Sequence, residues 1–249
     1  MKITFEIYYH TRWGESLFLS GNIDELGANE ENRAVMMDYQ GDGLWKYTME
    51  LPASAKKFHY EYLVKSGEGI RREWGSPHRF SPGRNDGEYR LVDRWRDVPA
   101  DMPFYSSAFI QGIFFRQHAD SVVETIEPGT LTVKVDASQL RPDERLVMVG
   151  DCPELGDWDV LKAPLLNDSA FPEWQITLDG KHLKFPFEYK FVIVRTHQRE
   201  VVAWETGENR ICREKPQNPS EAVVVSGLRF NGSESQWRGA GTAIPVFSL

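Results

Sequence analysis

Apolar and polar residues alternate along most of this chain. Ile3, Phe5 and Ile7 alternate with polar neighbours, as do Trp45, Tyr47, Met49 and Leu51, and then Phe58, Tyr60 and Tyr62. The pattern returns at Leu131, Val133 and Val135, and again at Phe185, Phe187, Tyr189, Phe191 and Ile193. A period of two belongs to strands with one buried face. Turn formers punctuate the runs, as in Gln40-Gly41-Asp42-Gly43, Lys65-Ser66-Gly67-Glu68-Gly69 and Arg84-Asn85-Asp86-Gly87. No long stretch combines helical spacing with caps, so the chain is expected to be all-β.

The sequence also resembles itself. Leu17-Phe18-Leu19-Ser20-Gly21-Asn22-Ile23-Asp24-Glu25-Leu26-Gly27 is answered by Leu146-Val147-Met148-Val149-Gly150-Asp151-Cys152-Pro153-Glu154-Leu155-Gly156. Trp45 is answered by Trp174, Phe58 to Tyr62 by Phe185 to Tyr189, and Glu73-Trp74 by Ala203-Trp204. Leu26 and Leu155 stand 129 residues apart, Glu61 and Glu188 127, and Trp74 and Trp204 130. Such a period is too long for a solenoid and fits a duplicated domain. Parity with the apolar residues that follow assigns Trp45 and Trp174 to the cores.

Many short strands in each half point to two immunoglobulin-like antiparallel β-sandwiches in tandem, joined by a linker with an apolar connecting segment. The expected division is a first sandwich over 1–98, linker and connecting segment over 99–127, a second sandwich over 128–230, and a tail over 231–249. Prolines make Asp97-Val98-Pro99-Ala100-Asp101-Met102-Pro103 an extended linker. The apolar stretch from Phe104 to Arg116 belongs to neither repeat. It is expected to pack against one or both sandwiches, because leaving it in water is costly.

Composition narrows the function. At 249 residues and 41% hydrophobic content the chain can bury real cores, and its formal net charge of -8 argues against a nucleic-acid partner. A neutral ligand suits that charge. There is no apolar run of membrane-spanning length, and the strand-like start Met1 to Ile7 has no signal-peptide pattern. Cys152 and Cys212 are expected to be free, partly buried thiols of a cytoplasmic protein. The six histidines, His10, His59, His78, His118, His182 and His197, lack metal spacing, and no acid/base motif, phosphate loop or nucleophile elbow is present. The chain itself is therefore expected to be a binding protein with no catalytic residues, metal or cofactor.

The second half carries Val149-Gly150-Asp151, Glu154-Leu155-Gly156-Asp157-Trp158, Phe187-Glu188-Tyr189-Lys190-Phe191, and Trp204-Glu205 followed by Gly207, Asn209 and Arg210. In that order, over most of Leu131 to Phe230, these motifs resemble a family-20 starch-binding module. The resemblance implies an α-1,4-glucan site built from Trp158, Lys190, Trp204, Glu205 and Asn209. Glucose rings offer C–H faces to indoles and hydroxyl edges to donors and acceptors, so these residue types suit that ligand.

Each residue also admits a plainer role. Trp158 and Trp204 fit caps on the end of a sandwich. Lys190, of opposite parity to Tyr189 and Phe191, fits a solvated outer-face lysine. Asn209-Arg210 fits a turn with an ion pair to Glu205 or Glu208.

The first half has Ala28-Asn29 after Leu26-Gly27 and Leu63 after Glu61-Tyr62, leaving Trp74 as the remaining member of that site, with His78-Arg79 in place of the Asn-Arg pair. The same family has a second glucan site, for which the first half supplies Trp13 and Tyr39 whereas the second half has Arg141-Pro142-Asp143-Glu144. The resemblance thus implies complementary sites, with Trp13, Tyr39 and Trp74 in the first module.

Trp237 to Leu249 resembles the lead into the catalytic barrel of glycoside hydrolase family 77, and Tyr8 to Gly14 resembles the start of disproportionating 4-α-glucanotransferases, or amylomaltases. The resemblance implies a cytoplasmic parent enzyme of maltose and glycogen metabolism. Its catalytic carboxylates would lie beyond residue 249, and the modules' partners would be α-glucan and their own catalytic domain. The alternative from another class is a pair of protein-interaction or spacer sandwiches docking a catalytic domain or a second subunit.

Overall fold

The computed structural model describes residues 1–52, 57–83, 87–99, 102–113 and 125–232. Its first half contains β1 (Lys2–Tyr8), β2 (Ser16–Gly21), β3 (Val35–Met36), β4 (Asp38–Gly41), β5 (Leu44–Glu50), β6 (Phe58–Ser66), β7 (Gly69–Arg72), β8 (His78–Phe80) and β9 (Glu88–Arg94). One short helix, α1 (Ser107–Gly112), follows. The second half contains β10 (Thr130–Asp136), β11 (Glu144–Gly150), β12 (Asn167–Ala170), β13 (Glu173–Asp179), β14 (Phe187–Arg195), β15 (Val201–Trp204), β16 (Arg210–Cys212) and β17 (Glu221–Arg229).

The alternating runs form the strands as expected, with Ile3, Phe5 and Ile7 on β1 fully buried. Trp45 and Trp174 are core residues, and each indole N–H donates at 2.9 Å to a backbone carbonyl, of Tyr9 and of Ala137. Each half is a β-sandwich.

The two sandwiches share a sheet. Its eight strands run β12-β13-β10-β17-β9-β1-β5-β4, while β11, β14, β15 and β16 form one outer sheet and β3, β2, β6, β7 and β8 form the other. The pairings β1–β9, β10–β17 and β9–β17 are parallel, and the other strand pairings of the sandwiches are antiparallel as expected. On β17, Ala222 and Val224 join the first core while Val223 and Val225 join the second; on β9, Leu91 joins the first and Val92 the second. The two cores therefore lie on opposite faces of one sheet. A central strand covered on both sides needs a continuous apolar run, which Ala222-Val223-Val224-Val225 provides.

Polar groups also cross this seam. Buried Asp93 on β9 accepts from the hydroxyls of Tyr60 at 2.9 Å, Tyr62 at 2.6 Å and Ser226 on β17. His78 sits between Ser226 at 2.9 Å and Glu73 at 3.1 Å. In the connecting segment, Ile110 is fully buried in the second core and the Tyr105 ring meets Trp74 edge-on at 5.3 Å, so this part packs against both halves. Phe114 and Phe115 lie outside the described residues, as does Trp237 to Leu249.

Candidate functional site

On β14, Phe187, Tyr189, Phe191 and Ile193 enter the core, which turns Glu188, Lys190, Val192 and Val194 outward. Val192 and Val194 combine with Val147, Val149 and Ala163 in a small apolar cluster on that outer face, and Trp158 packs against it. Trp158 gets there through a tight turn in which Gly156, Asp157 and Trp158 all have positive φ, at 80°, 50° and 64°. A Cβ at position 156 would come within 2.7 Å of the Asp159 carbonyl, so the turn requires glycine. The Trp158 N–H then donates to the Gly150 carbonyl at 2.7 Å.

Trp204 pairs with Val192 across β14 and β15, which puts it on the same face, where it is 42% exposed. Lys190, two residues before Val192, shares the face too, and its ammonium donates to the carbonyls of Glu205 at 3.1 Å and Gly207 at 2.6 Å. Asn209 donates its amide to the Glu188 carboxylate at 2.8 Å. The structure thus brings Trp158, Lys190, Trp204 and Asn209 to one face.

Glu205 is placed differently. It is 4% exposed, both its oxygens are held by Arg210, and it accepts from the backbone N–H groups of Phe191 and Asn231, each at 3.3 Å. Its carboxylate faces inward and anchors the turn that Lys190 grips. The ion pair that the sequence left open between Glu205 and Glu208 goes to Glu205.

Hydrogen-bond register corrects how the halves correspond. Gly21 pairs with Tyr60 as Gly150 pairs with Tyr189, so Tyr60 rather than Tyr62 matches Tyr189, and Glu61 matches Lys190. Glu73 bonds to the backbone of Tyr62 as Glu205 does to that of Phe191, and Leu63 pairs with Arg72 as Val192 pairs with Trp204. Trp74 is therefore not the counterpart of Trp204; Arg72 is. Asn29, with φ 66° and its N–H 2.7 Å from the Gly21 carbonyl, stands where Trp158 stands. The first half's matching face holds Asn29, Glu61 and Arg72, and Arg72 pairs with Glu61 and Glu31. An ion-pair network occupies the place of the aromatic platforms.

The other first-half candidates are open to solvent. Trp13, in the loop after β1, is fully exposed, and Tyr39 is 56% exposed with its ring 5.1 Å from Trp45. Tyr39 accepts from the Gly43 N–H at 3.2 Å, while the Gly43 carbonyl accepts from the Tyr9 N–H at 2.7 Å, so the start of the loop that carries Trp13 meets the β4–β5 turn at one end of the sandwich. Trp74 lies elsewhere. With Tyr105, Arg79 and Arg96 it lines a cleft of about 390 Å³ whose far wall is Asp136, Phe171, Pro172 and Glu173 of the second half. Sequence reasoning missed this cleft.

Two carboxyls are strongly shifted, Asp136 in the cleft wall and Glu73 behind Arg96. Burial pushes Glu73 up, but the adjoining Arg96 guanidinium and His78 more than offset that and hold it at about 2. Burial, then Glu173, pushes Asp136 up to about 6 against the opposing pull of Arg96 and Arg229. Cys152 and Cys212 are buried and free, and burial raises both thiols, Cys152 to about 11. Among the described residues no group of three or more His, Cys, Asp or Glu could hold a metal ion, and no helix is long and apolar enough to cross a membrane.

A family model described as the starch binding domain matches residues 1–86 and 130–223. The chain belongs to the starch-binding domain family. The first matched stretch covers β1 to β8 and the second β10 to β16 with the start of β17. A relative from Oryza sativa subsp. japonica, the 4-alpha-glucanotransferase DPE2, is 26% identical over 99% of this chain and 28% of its own length. The AA13 family lytic polysaccharide monooxygenase A of Aspergillus terreus is 34% identical over 27% of this chain and 18% of its own. The chain thus spans less than a third of the length of these two relatives. Among solved structures, the family-20 module of a maltotetraose-forming amylase from Pseudomonas saccharophila is 20% identical, over 38% of this chain and 98% of that one, with a TM-score of 0.32.

Proposed function

We propose that the chain binds α-1,4-glucan through two unlike sites, one on each sandwich. The observation that carries this is the shared outer face of Trp158, Trp204 and Lys190 around Val192. Two indoles give flat apolar surface for consecutive glucose rings, and Asn209, Glu188 and the Lys190 ammonium give donors and acceptors for ring hydroxyls. Glu205 serves from beneath by fixing the 205–207 turn. In the first sandwich, Trp13 and Tyr39 form the second site, and no charge complementarity is needed at either. Trp204 stays exposed and Trp158 only partly buried, which favours a ligand platform over structural caps, because a cap would bury both.

The starch-binding family match and the rice glucanotransferase relative support a wider reading. In it these are tandem modules of a cytoplasmic disproportionating 4-α-glucanotransferase whose family-77 catalytic domain is a separate partner, and this chain supplies binding without chemistry. Titration with maltoheptaose, followed by tryptophan fluorescence, tests the binding. The parent should bind with more than one class of site, Trp158→Ala should remove one class, and Trp13→Ala another. Absence of any change with the parent chain would sink the proposal.

A further inference from the structure

We propose that the cleft between the two sandwiches is a third sugar site, which takes the end of a maltooligosaccharide against Trp74. This rests on the glucan-binding reading of the two outer sites but uses none of their residues.

Register takes Trp74 off the sheet face where a glucan tryptophan was expected and points to a different use. Its indole is half-buried beside a cleft of about 390 Å³, within the range of small-ligand pockets and too small for a length of polymer. Tyr105 meets it at an interplanar angle of 81°, and the Arg229 guanidinium lies 5.5 Å from the Trp74 centroid and 5.8 Å from that of Tyr105. The ring pair is thereby fixed in orientation, as a preorganised platform requires.

The polar lining is unfinished. Arg96 spends its Nε on Glu73 at 2.9 Å, while its Nη2 is buried with no hydrogen-bond partner among the described residues. The Arg96 side chain is 10% exposed. A buried donor left unmade is costly, and because Arg96 lines the cleft, a small rotation of its guanidinium would bring this donor to a ligand hydroxyl or ring oxygen. Asp136, held up at about 6, and Glu173 face it from the second half. Three guanidinium groups, of Arg79, Arg96 and Arg229, stand around the Trp74 ring with three carboxyls, of Asp136, Glu173 and the Glu73 that pairs with Arg96. They offer both donors and acceptors, which suits a neutral polyol and would repel a phosphate or a carboxylate on one side.

The test uses this chain and maltotriose, read by titration calorimetry and by the indole N–H resonances in nuclear magnetic resonance. A Trp13→Ala, Trp158→Ala, Trp204→Ala variant removes the outer sites and should still bind one maltotriose and shift the Trp74 indole signal. Adding Trp74→Ala should weaken the remaining binding about tenfold or more, the loss expected of one aromatic platform. Ala170→Phe, which fills the cleft from the second half and leaves the tryptophan in place, should do the same. Loss of all binding in the triple variant, with the parent still binding, would overturn the cleft site and leave the outer sites standing. A parent that binds no maltotriose and no maltoheptaose would overturn both.

Discussion

The Nδ1 of His78 lies 2.9 Å from the hydroxyl of Ser226, 148 residues further along the chain. Together with the Ser226–Asp93 bond inside the shared sheet, this contact ties β8 of the first sandwich's outer sheet to the last strand of the second. The halves should therefore unfold as one unit. Scanning calorimetry should give a single transition, and Ser226→Ala should lower stability by about 1–3 kcal/mol by leaving buried polar partners unmet. Two separable transitions in the parent would show that the shared sheet does not couple the sandwiches.

The side chains of Arg210 and Glu205 are 6% and 2% exposed, and their pair holds the turn that Lys190 grips. Removing one member of a buried pair strands the other charge. Arg210→Ala should cost about 3–5 kcal/mol in urea unfolding, whereas Glu208→Ala on the open turn should stay within about 0.5 kcal/mol.

Stability should respond to pH with opposite signs from two carboxyls. The folded pKa of Glu73, about 2, is below its ordinary 4.5, so its contribution is present above 4.5 and is lost as pH falls towards 2. Asp136 is raised from 3.8 to about 6, so the folded state binds the extra proton and stability falls as pH rises across that window. Asp136→Asn should flatten the fall between about pH 4 and 6, and Glu73→Gln the acid limb. Urea unfolding across this range reads both, and an unchanged profile in Asp136→Asn would contradict the burial of that carboxyl.

Much of this was legible in the sequence, and the failures share a cause. Alternation places the strands and correctly turns Lys190 outward while sending Trp45 and Trp174 inward. Matching like residues with like sets Tyr62 against Tyr189 and Trp74 against Trp204, two residues out of the hydrogen-bond register. A two-residue slip keeps every side chain on its own face, so a period of two cannot detect it. Only hydrogen bonds reveal that Glu73, not its neighbour, anchors the repeat. The shared sheet did leave a trace in the unalternating Ala222 to Val225, which marks burial on both faces. The cleft left none, since its walls are 30 or more residues apart in sequence between Arg96, Asp136 and Glu173.

The corrected register also permits a gain of function. Replacing the ion-pair face of the first sandwich by Asn29→Trp, Glu61→Lys and Arg72→Trp should add one glucan site to the chain. Maltoheptaose stoichiometry from calorimetry should rise by one. An unchanged stoichiometry in a folded variant would show that these three positions are insufficient.

The most direct measurement is migration of the chain through a glycogen-containing native gel, beside Trp158→Ala, Trp13→Ala and the double variant. Binding at two unlike faces predicts retardation of the parent, partial release in each single variant and greater release in the double one, since linked sites reinforce each other on a polymer. Migration of the parent as fast in glycogen as in plain gel would contradict it.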